Sequence, residues 1–505
     1  MDQNKKTFLF TISVLAVIAG FYVYRPQGLF FLADDFIHIP ESASNIWAQR
    51  NSLRPIGNIS LHLDFLFSNT SALGYHITNL LLHVLNSFFV FLLVRVLIRR
   101  YDTANPFSPM LSGITAVMFF VYPFHSESIF WIIGRSGSLG ALFFLPALIL
   151  YVQRHKSIGY FIASVLCFIL ALLAYESSWI FPLLVAVIAY MDASKNTVTK
   201  QREMMYAAIV WLVFILFLAL RFKVTGQVLN QYDTGTLLSL NMKNLIANFF
   251  RLFARTLLPP FVQTRSLLLY FVVAMLLIIA VTFKFFRHRQ PRKLFLFISV
   301  CWLLSYLPYL SLGIDTHGVE GERYLYLPSV FFCFWLLYVF NGIFSKAWFV
   351  PIVTVWLCLN ILFLQQSRCC YTKAGCIEQT TIAEVYKLSN KQSIFIQYLP
   401  QYNKGAVVFR LGFEEAMQWL HPSFAPTIFI VSKDDSDEKI REQYSNTFRL
   451  IRKMDTSRIT VKSFWVRDKN NKAGAYSLKD TVGLQYNPAT DTWLRFTDTS
   501  LIISP

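Results

Sequence analysis

Phe31-Leu32-Ala33-Asp34-Asp35-Phe36 sets two adjacent carboxylates about ten residues beyond one apolar run, Thr7 to Tyr24, and well ahead of the next, near residues 77–98. Working outward from it, further apolar runs lie near 108–124, 138–153, 159–174, 178–192, 204–222, 266–284, 293–311, 326–344 and 347–365. Most approach the ~20 residues that span a bilayer as a helix. The 505 residues are 55% hydrophobic with a mean hydropathy of +0.47, above what a soluble domain carries. The pattern predicts an α-helical polytopic membrane protein with about eleven transmembrane helices, in which residues 25–76 form the first loop. The first run reads as an uncleaved span, because no small-residue cleavage site follows it cleanly.

Lys and Arg number 46 against 28 Asp and Glu. The excess sits in short loops between apolar runs, so it reads as a topology signal and not as a nucleic-acid surface. One face collects Lys5, Lys6, Arg95, Arg99, Arg100, Arg154, Lys156, Lys195, Lys200, Arg202, Lys284, Arg287, Arg289, Arg292, Lys293 and Lys346, against the acids Asp2, Asp102, Asp192 and Glu203. That face is expected to be cytoplasmic. The opposite face holds Asp34, Asp35, Glu41, Asp64, Glu127, Glu176, Asp233, Asp315, Glu320 and Glu322. An odd number of spans then puts the N-terminus inside and everything after about residue 366 outside.

Residues 221–265 fall on the outer face despite carrying Arg221, Lys223, Lys243, Arg251, Arg255 and Arg265. Asn244 to Leu258 reads as an amphipathic helix at the membrane surface, with Arg251 and Arg255 one turn apart. The two arginines either reach lipid headgroups or bind a phosphate-bearing lipid. From Gln366 the composition becomes that of a soluble domain, with 19 basic and 14 acidic residues. Strands are expected at Ser393–Tyr398, Ala406–Phe409, Thr427–Val431, Ile459–Val466 and Thr492–Phe496, and a short helix at Leu411–Leu420. An acidic turn at Lys433–Lys439 with a helix to about Tyr444, and a turn at Asp468–Gly474, complete an α/β or α+β domain over 366–505. Cys167, Cys301, Cys333 and Cys358 lie within apolar runs. Cys369, Cys370 and Cys376 lack metal-site spacing but could form a disulfide on an oxidising face.

Four polar sets end apolar runs on the outer face. The first is Asp34 and Asp35, framed by Phe31, Leu32, Phe36 and Ile37. Two carboxylates held close together in an apolar surround resist joint ionisation, so one of them is suited to accept a proton near neutrality. The others are His125-Ser126-Glu127 with Trp131, Gly134 and Arg135; Tyr175-Glu176; and His317, Glu320, Glu322, Arg323, Tyr324 and Tyr326. Each set alone suits a helix-end anchor. Together, at membrane depth, they favour a shared cavity. His76, Thr78, Asn79, His83 and Asn86 fall near one face of a helix and suit interhelical hydrogen bonding.

Arg54-Pro55-Ile56 followed by Gly74-Tyr75-His76-Ile77-Thr78-Asn79-Leu80-Leu81-Leu82-His83 resembles a segment of the GT-C-fold glycosyltransferases. Within them it is most similar to the transmembrane and TPR-repeat-containing O-mannosyltransferases and their bacterial homologues. His125-Ser126-Glu127, Tyr175-Glu176-Ser177 and Glu322-Arg323-Tyr324-Leu325-Tyr326-Leu327-Pro328-Ser329 agree in the same order, so the resemblance covers roughly residues 1–365. It implies a GT-C-like catalytic domain over 1–365, with a soluble domain beyond it. It implies transfer of a sugar, a mannose-like hexose, from a polyprenyl- or dolichyl-phosphate donor to an acceptor on the extracytoplasmic face, with inversion. The membrane would be a bacterial inner membrane. Asp34, with Asp35 beside it, would be the base. Arg323 would meet the donor phosphate, as would Arg251 and Arg255. Arg54, His125, Glu127, Glu176, His317, Glu322 and Tyr324 would line the sugar and acceptor pocket. No TPR repeats follow the last run, so lipid and polysaccharide acceptors stand beside protein. The Asp pair permits a divalent metal without requiring one. The competing reading is a non-catalytic transporter, flippase or binding protein for lipid-linked glycans.

Overall fold

The computed structural model describes residues 18–47, 53–103, 108–192, 197–226, 228, 241–260, 264–287, 292–391, 393–397 and 399–431, with further strands between 448 and 496. The chain divides into two compact units, Met1–Gln27 with Ser42–Cys369, and Gly28–Glu41 with Cys370–Pro505. The Asp34-Asp35 loop therefore belongs to the same unit as the C-terminal part of the chain, a placement that reading the chain in linear order did not give.

In chain order the helices are α1 (Asp35–Ser44), α2 (Pro55–Ser68), α3 (Ala72–Tyr101), α4 (Ser108–Phe120), α5 (Ser126–Phe130), α6 (Ser136–Val152), α7 (Ile158–Ala174) and α8 (Phe181–Asp192). They continue as α9 (Thr197–Thr225), α10 (Met242–Leu257), α11 (Thr264–Arg287), α12 (Arg292–Leu304), α13 (Tyr326–Ile343), α14 (Lys346–Tyr386) and α15 (Phe413–Leu420). Among the described residues six helices are long and apolar enough to cross a membrane: Ala72–Tyr101, Ile133–Val152, Lys200–Thr225, Leu268–Phe286, Glu322–Ile343 and Ala347–Tyr386. Pro109–Phe120, Ile158–Ala174 and Lys293–Tyr309 are apolar but shorter. The expected run at 178–192 is the twelve-residue α8, and the expected first span falls mostly outside the described residues. The chain is an integral, helical membrane protein.

Local sequence explains the ends of these helices. Pro55 opens α2, where its missing N–H costs nothing and its fixed φ suits the first turn. Arg99 and Arg100 close α3, where positive charge meets the exposed carbonyls. α13 is buried on every side from Tyr326 to Val339 and packs on α12 and α4. α11, by contrast, turns most of its apolar side chains outward. Three of the acids assigned to the basic face, Asp102, Asp192 and Glu203, are taken up locally. Asp192 pairs with Arg100 at 2.6 Å and Arg154 at 3.0 Å, Glu203 pairs with Arg154, and Asp102 accepts the Tyr338 hydroxyl.

The second unit has a mixed sheet built from β1 (Ser393–Gln397), β4 (Thr427–Val431), β5 (Phe448–Ile451), β8 (Thr481–Asn487) and β9 (Thr492–Phe496), in the order β5-β4-β1-β8-β9. The first four run parallel, with Ile394 opposite both Ile428 and Val482, and β9 is antiparallel at the edge. Parallel strands joined across α15 give an α/β arrangement. β2 (Tyr402–Asn403) and β3 (Ala406–Val407) form a small hairpin, and β6 (Ser463–Arg467) and β7 (Ala473–Ser477) another. β5 and β8 were not expected, although the alternation of Val482, Leu484 and Tyr486 marks β8. The Lys433–Tyr444 expectation lies outside the described residues. So does most of the Asp468–Gly474 turn, whose last residues, Ala473 and Gly474, prove to begin β7.

α14 corrects the expected boundary at 365. It continues unbroken through Tyr386, and beyond the apolar part its buried positions recur at helical spacing: Tyr371, Ala374, Glu378, Thr381, Val385. It also separates cysteines that could have paired on an oxidising face. None of the seven cysteines is joined in a disulfide. Cys369 and Cys376 stand seven residues apart on one helix, which at ~1.5 Å per residue is too far for a bridge.

Candidate active site

Within the second unit, the Asp34-Asp35 loop is held from several directions. Phe31, Leu32, Ala33 and Phe36 are buried. Phe31 and Phe36 lie edge-on to Trp419 at 5.0 and 6.3 Å, and Phe36 stacks on Phe409 at 6.4 Å. Leu32 donates its backbone N–H to Asp35 Oδ2 at 2.8 Å, while Asp35 donates its own N–H to Leu32 O at 2.9 Å. Asp35 is thus spent on closing the turn that opens α1. Asp34 stands before α1, its backbone carbonyl accepting from Ile37 and His38. Its side chain is half-buried, and Oδ1 is enclosed with no hydrogen-bond partner among the described residues.

Ala33 has a left-handed φ of +43°, which costs an L-residue roughly 1–2 kcal/mol. Its N–H is donated to Glu378 Oε1 at 3.0 Å. Gly412, itself at φ +84°, must be glycine, because a Cβ there would fall against the Ala33 carbonyl oxygen. Glu378 lies past the apolar part of α14 and is fully buried, with Oε2 unpartnered among the described residues. Burial pushes its carboxyl well above the usual range, and the charges of Asp35 and Asp34 push it further the same way. Sequence reading missed Glu378. The periodic buried face from Tyr371 to Val385 was the signal that could have found it.

In the first unit the predicted residues form three ion-paired groups. Pro123–His125 makes one tight turn and α5 a second, so that Glu127 points inward. It receives the Arg323 backbone N–H at 2.9 Å and pairs with the Arg323 guanidinium. Gly134 packs so closely on the Glu127 carbonyl that a Cβ would not fit. Arg323 also donates to Tyr324 Oη at 2.8 Å and lies over the rings of Trp131 and Tyr324, the latter stacked on Tyr309. Of the arginines in these pairs it is among the partly exposed ones.

Glu322 is fully buried, pairs with Arg255 and accepts from Ser126. Arg255 also donates to Leu258 O at 2.6 Å and Asp315 O at 3.2 Å, and lies over Phe124. Its guanidinium faces inward, whereas Arg251, one turn earlier on α10, is exposed and donates to Asn248. Glu176 pairs with Arg54 at 2.7 Å and with Arg221 at 3.0 Å. Burial raises its carboxyl, but the two guanidiniums outweigh that and hold it below the ordinary range. Arg221 had been placed only among loop charges. The same holds for Asp64, which pairs at 2.5 Å with Arg135 of the predicted polar set, with Ser60 and Thr78 alongside.

His125 is buried against Ser329 Oγ at 2.6 Å, and burial lowers its ring well below the usual histidine value, favouring the neutral form. His317 is exposed, its backbone N–H donated to Asp315. Asn79 reaches the carbonyls of Ile129 and Trp131, while His83 and Asn86 both meet Tyr326 Oη. The expected hydrogen-bonding face of α3 thus tethers the segments that carry Glu127 and Arg323. Among the described residues no group of three or more His, Cys, Asp or Glu side chains is arranged to hold a metal ion.

No family model matches the chain. A Caenorhabditis elegans protein named protein O-mannosyl-transferase F38B6.6 is 30% identical over 115 residues, covering 23% of this chain and 16% of that protein. Human protein O-mannosyl-transferase TMTC3 is 21% identical over 383 residues, covering 66% of this chain and 40% of the relative. The matched part is thus less than half the length of either. These relatives are of the family that the motifs around Arg54, Glu127, Glu176 and Arg323 resemble. Among solved structures, ArnT from Cupriavidus metallidurans in the apo state has a TM-score of 0.49 at 8% identity, covering 87% of this chain and 88% of ArnT. ArnT bound to undecaprenyl phosphate has a TM-score of 0.45 at 9% identity, covering 94% of this chain and 98% of ArnT.

Proposed function

We propose that the chain is a GT-C glycosyltransferase that moves a mannose-like hexose from a polyprenyl- or dolichyl-phosphate donor to an acceptor hydroxyl, with inversion. The observation that carries this reading is Asp34, whose Oδ1 is enclosed but unpartnered among the described residues while Asp35 is consumed by the turn beside it. Asp34 takes the proton of the acceptor hydroxyl as the acceptor oxygen bonds to the anomeric carbon. The bond from that carbon to the phosphate oxygen breaks, and the lipid phosphate leaves as an anion. A carboxylate suits the first task and a guanidinium the second. Arg323, partly exposed and steered by Glu127, Trp131 and Tyr324, is the residue assigned to the leaving phosphate. Arg54, Glu176 and Tyr324 contribute to sugar and acceptor binding, as do His125, His317 and Glu322. Arg251 and Arg255 remain further candidates for the donor phosphate.

The names of the relatives favour a protein acceptor, with lipid and polysaccharide as the other classes. The N-terminus lies in the cytoplasm of a bacterial cell, and the domain beyond about residue 370 faces outward from its inner membrane. The test is transfer from radiolabelled undecaprenyl-phosphate mannose into a cell-envelope acceptor fraction by the purified full chain. Wild-type transfer that Asp34→Asn abolishes supports the assignment. Equal turnover by the two proteins removes Asp34 as the base.

A further inference from the structure

The long helix α14 ends in a polar stretch whose inward face carries one acid, Glu378, and that acid is not spent on any cation among the described residues. One of its oxygens accepts the N–H of Ala33, the residue immediately before Asp34 and the one with the left-handed backbone. Three residues earlier on the same face, Gly375 lets the helix approach the Phe30 backbone, where a Cβ would crowd it. Gly412, ahead of α15, does the same for the Ala33 carbonyl. Glu378 and Gly412 thus meet the peptide groups on the two sides of Ala33, and Gly375 meets the chain at Phe30, all within the second unit.

We propose that Glu378 is a positioning residue for Asp34, so that the C-terminal unit serves the reaction by setting the direction of the base. This rests on the reading of Asp34 as base. Glu378 touches no reacting atom. It acts through the Ala33 amide, and an Asp34 one residue away inherits the error when that amide is released. A neutral carboxyl and a glutamine amide offer the same acceptor oxygen, which makes the substitution series informative.

The assay is again transfer from undecaprenyl-phosphate mannose by the full chain. Glu378→Ala is expected to lower kcat at least tenfold with KM for the donor within about twofold. Glu378→Gln is expected to recover most of that loss, whereas Glu378→Asp, which withdraws the oxygen by one methylene, is not. Glu384→Gln, removed from the loop and paired with Arg495 and Lys387, is the control expected to match wild type. Should the alanine variant fail to fold, the Gln and Asp variants decide. Gln active and Asp impaired supports the proposal, and the reverse order or equal activity overturns it. Asp34→Asn inactive with Glu378→Ala unimpaired overturns the positioning role alone. If wild type transfers nothing, the proposed function fails, and amide exchange at Ala33 still decides positioning: faster exchange in Glu378→Ala than in Glu378→Gln supports it, equal exchange overturns it.

Discussion

The acids of the two units live under opposite rules. In the first unit Glu127, Glu176 and Glu322 each meet at least one guanidinium, and Glu322 does so with no exposure at all. In the second, Asp34 and Glu378 keep enclosed oxygens without a partner among the described residues, and Glu378 sits near two other acids. Paired charge in a low-dielectric interior is a way of fixing geometry, because removing either member strands the other. Unpaired carboxyl oxygens instead leave room for a proton, and a group that gains and loses one must not be locked to an arginine. The difference separates acids fixed by a guanidinium from Asp34, the acid proposed to take a proton, and from Glu378, which accepts the amide beside it.

The largest effect expected to test that division is at Asp34. Asp34→Asn should lower kcat by about 10²–10⁴-fold with the melting temperature unchanged, since general-base help is of that size. Asp35→Ala should behave differently, because the Asp35 carboxylate accepts the Leu32 N–H and heads α1. It should cost stability first, about 1 kcal/mol as for the loss of a helix-end acceptor, and activity only in proportion. Equal kinetic damage in the two variants, at equal stability, would erase the distinction between them.

Next in size is Arg255. Truncating one member of a fully buried pair costs about 3–5 kcal/mol, so Arg255→Ala should impair folding, seen as loss of monodisperse protein in detergent. Arg251→Ala, one turn away and exposed, should lower neither yield nor melting temperature. If Arg255→Ala folds normally and only raises KM for the donor, Arg255 belongs to the phosphate site and not to the frame.

The membrane character and the motif-bearing segments were legible in the sequence because both are local. Apolar length predicts a span, and Glu322-Arg323-Tyr324 is read without knowing what it touches. Partners were not legible. Arg221 and Glu176 are 45 residues apart, and nothing in either neighbourhood names the other. Arg255 looked like a surface charge because α10 is amphipathic, yet it lies on the face that packs inward, where Glu322 offsets its burial. The loop around Asp34 looked like an outer appendage of the membrane spans. Its allegiance to the C-terminal unit depends on Phe31 and Phe36 meeting Trp419 and Phe409, nearly 400 residues later. Strand β8 was obscured by Gly483, which falls within the alternation that marks it.

The smallest effect is the most direct probe of the two rules, because pH should move the units in opposite directions. Glu176 is held below the ordinary carboxylate range, so its contribution is present above the unfolded value near 4.5 and is lost as pH falls through the lower folded value. Glu378 is raised, so its contribution is fully present below the unfolded value and is lost as pH rises through the folded one. Glu176→Gln should therefore destabilise the chain at pH 7, by a margin that narrows towards pH 4. Glu378→Gln keeps the acceptor for Ala33 but cannot ionise, so its stability relative to wild type should improve as pH is raised from 4. Thermal unfolding of the two variants and wild type across pH 4–9 reads both slopes. Slopes of the same sign would mean that Glu176 and Glu378 are held alike, and that the Glu378 carboxyl finds a cationic partner in the folded protein.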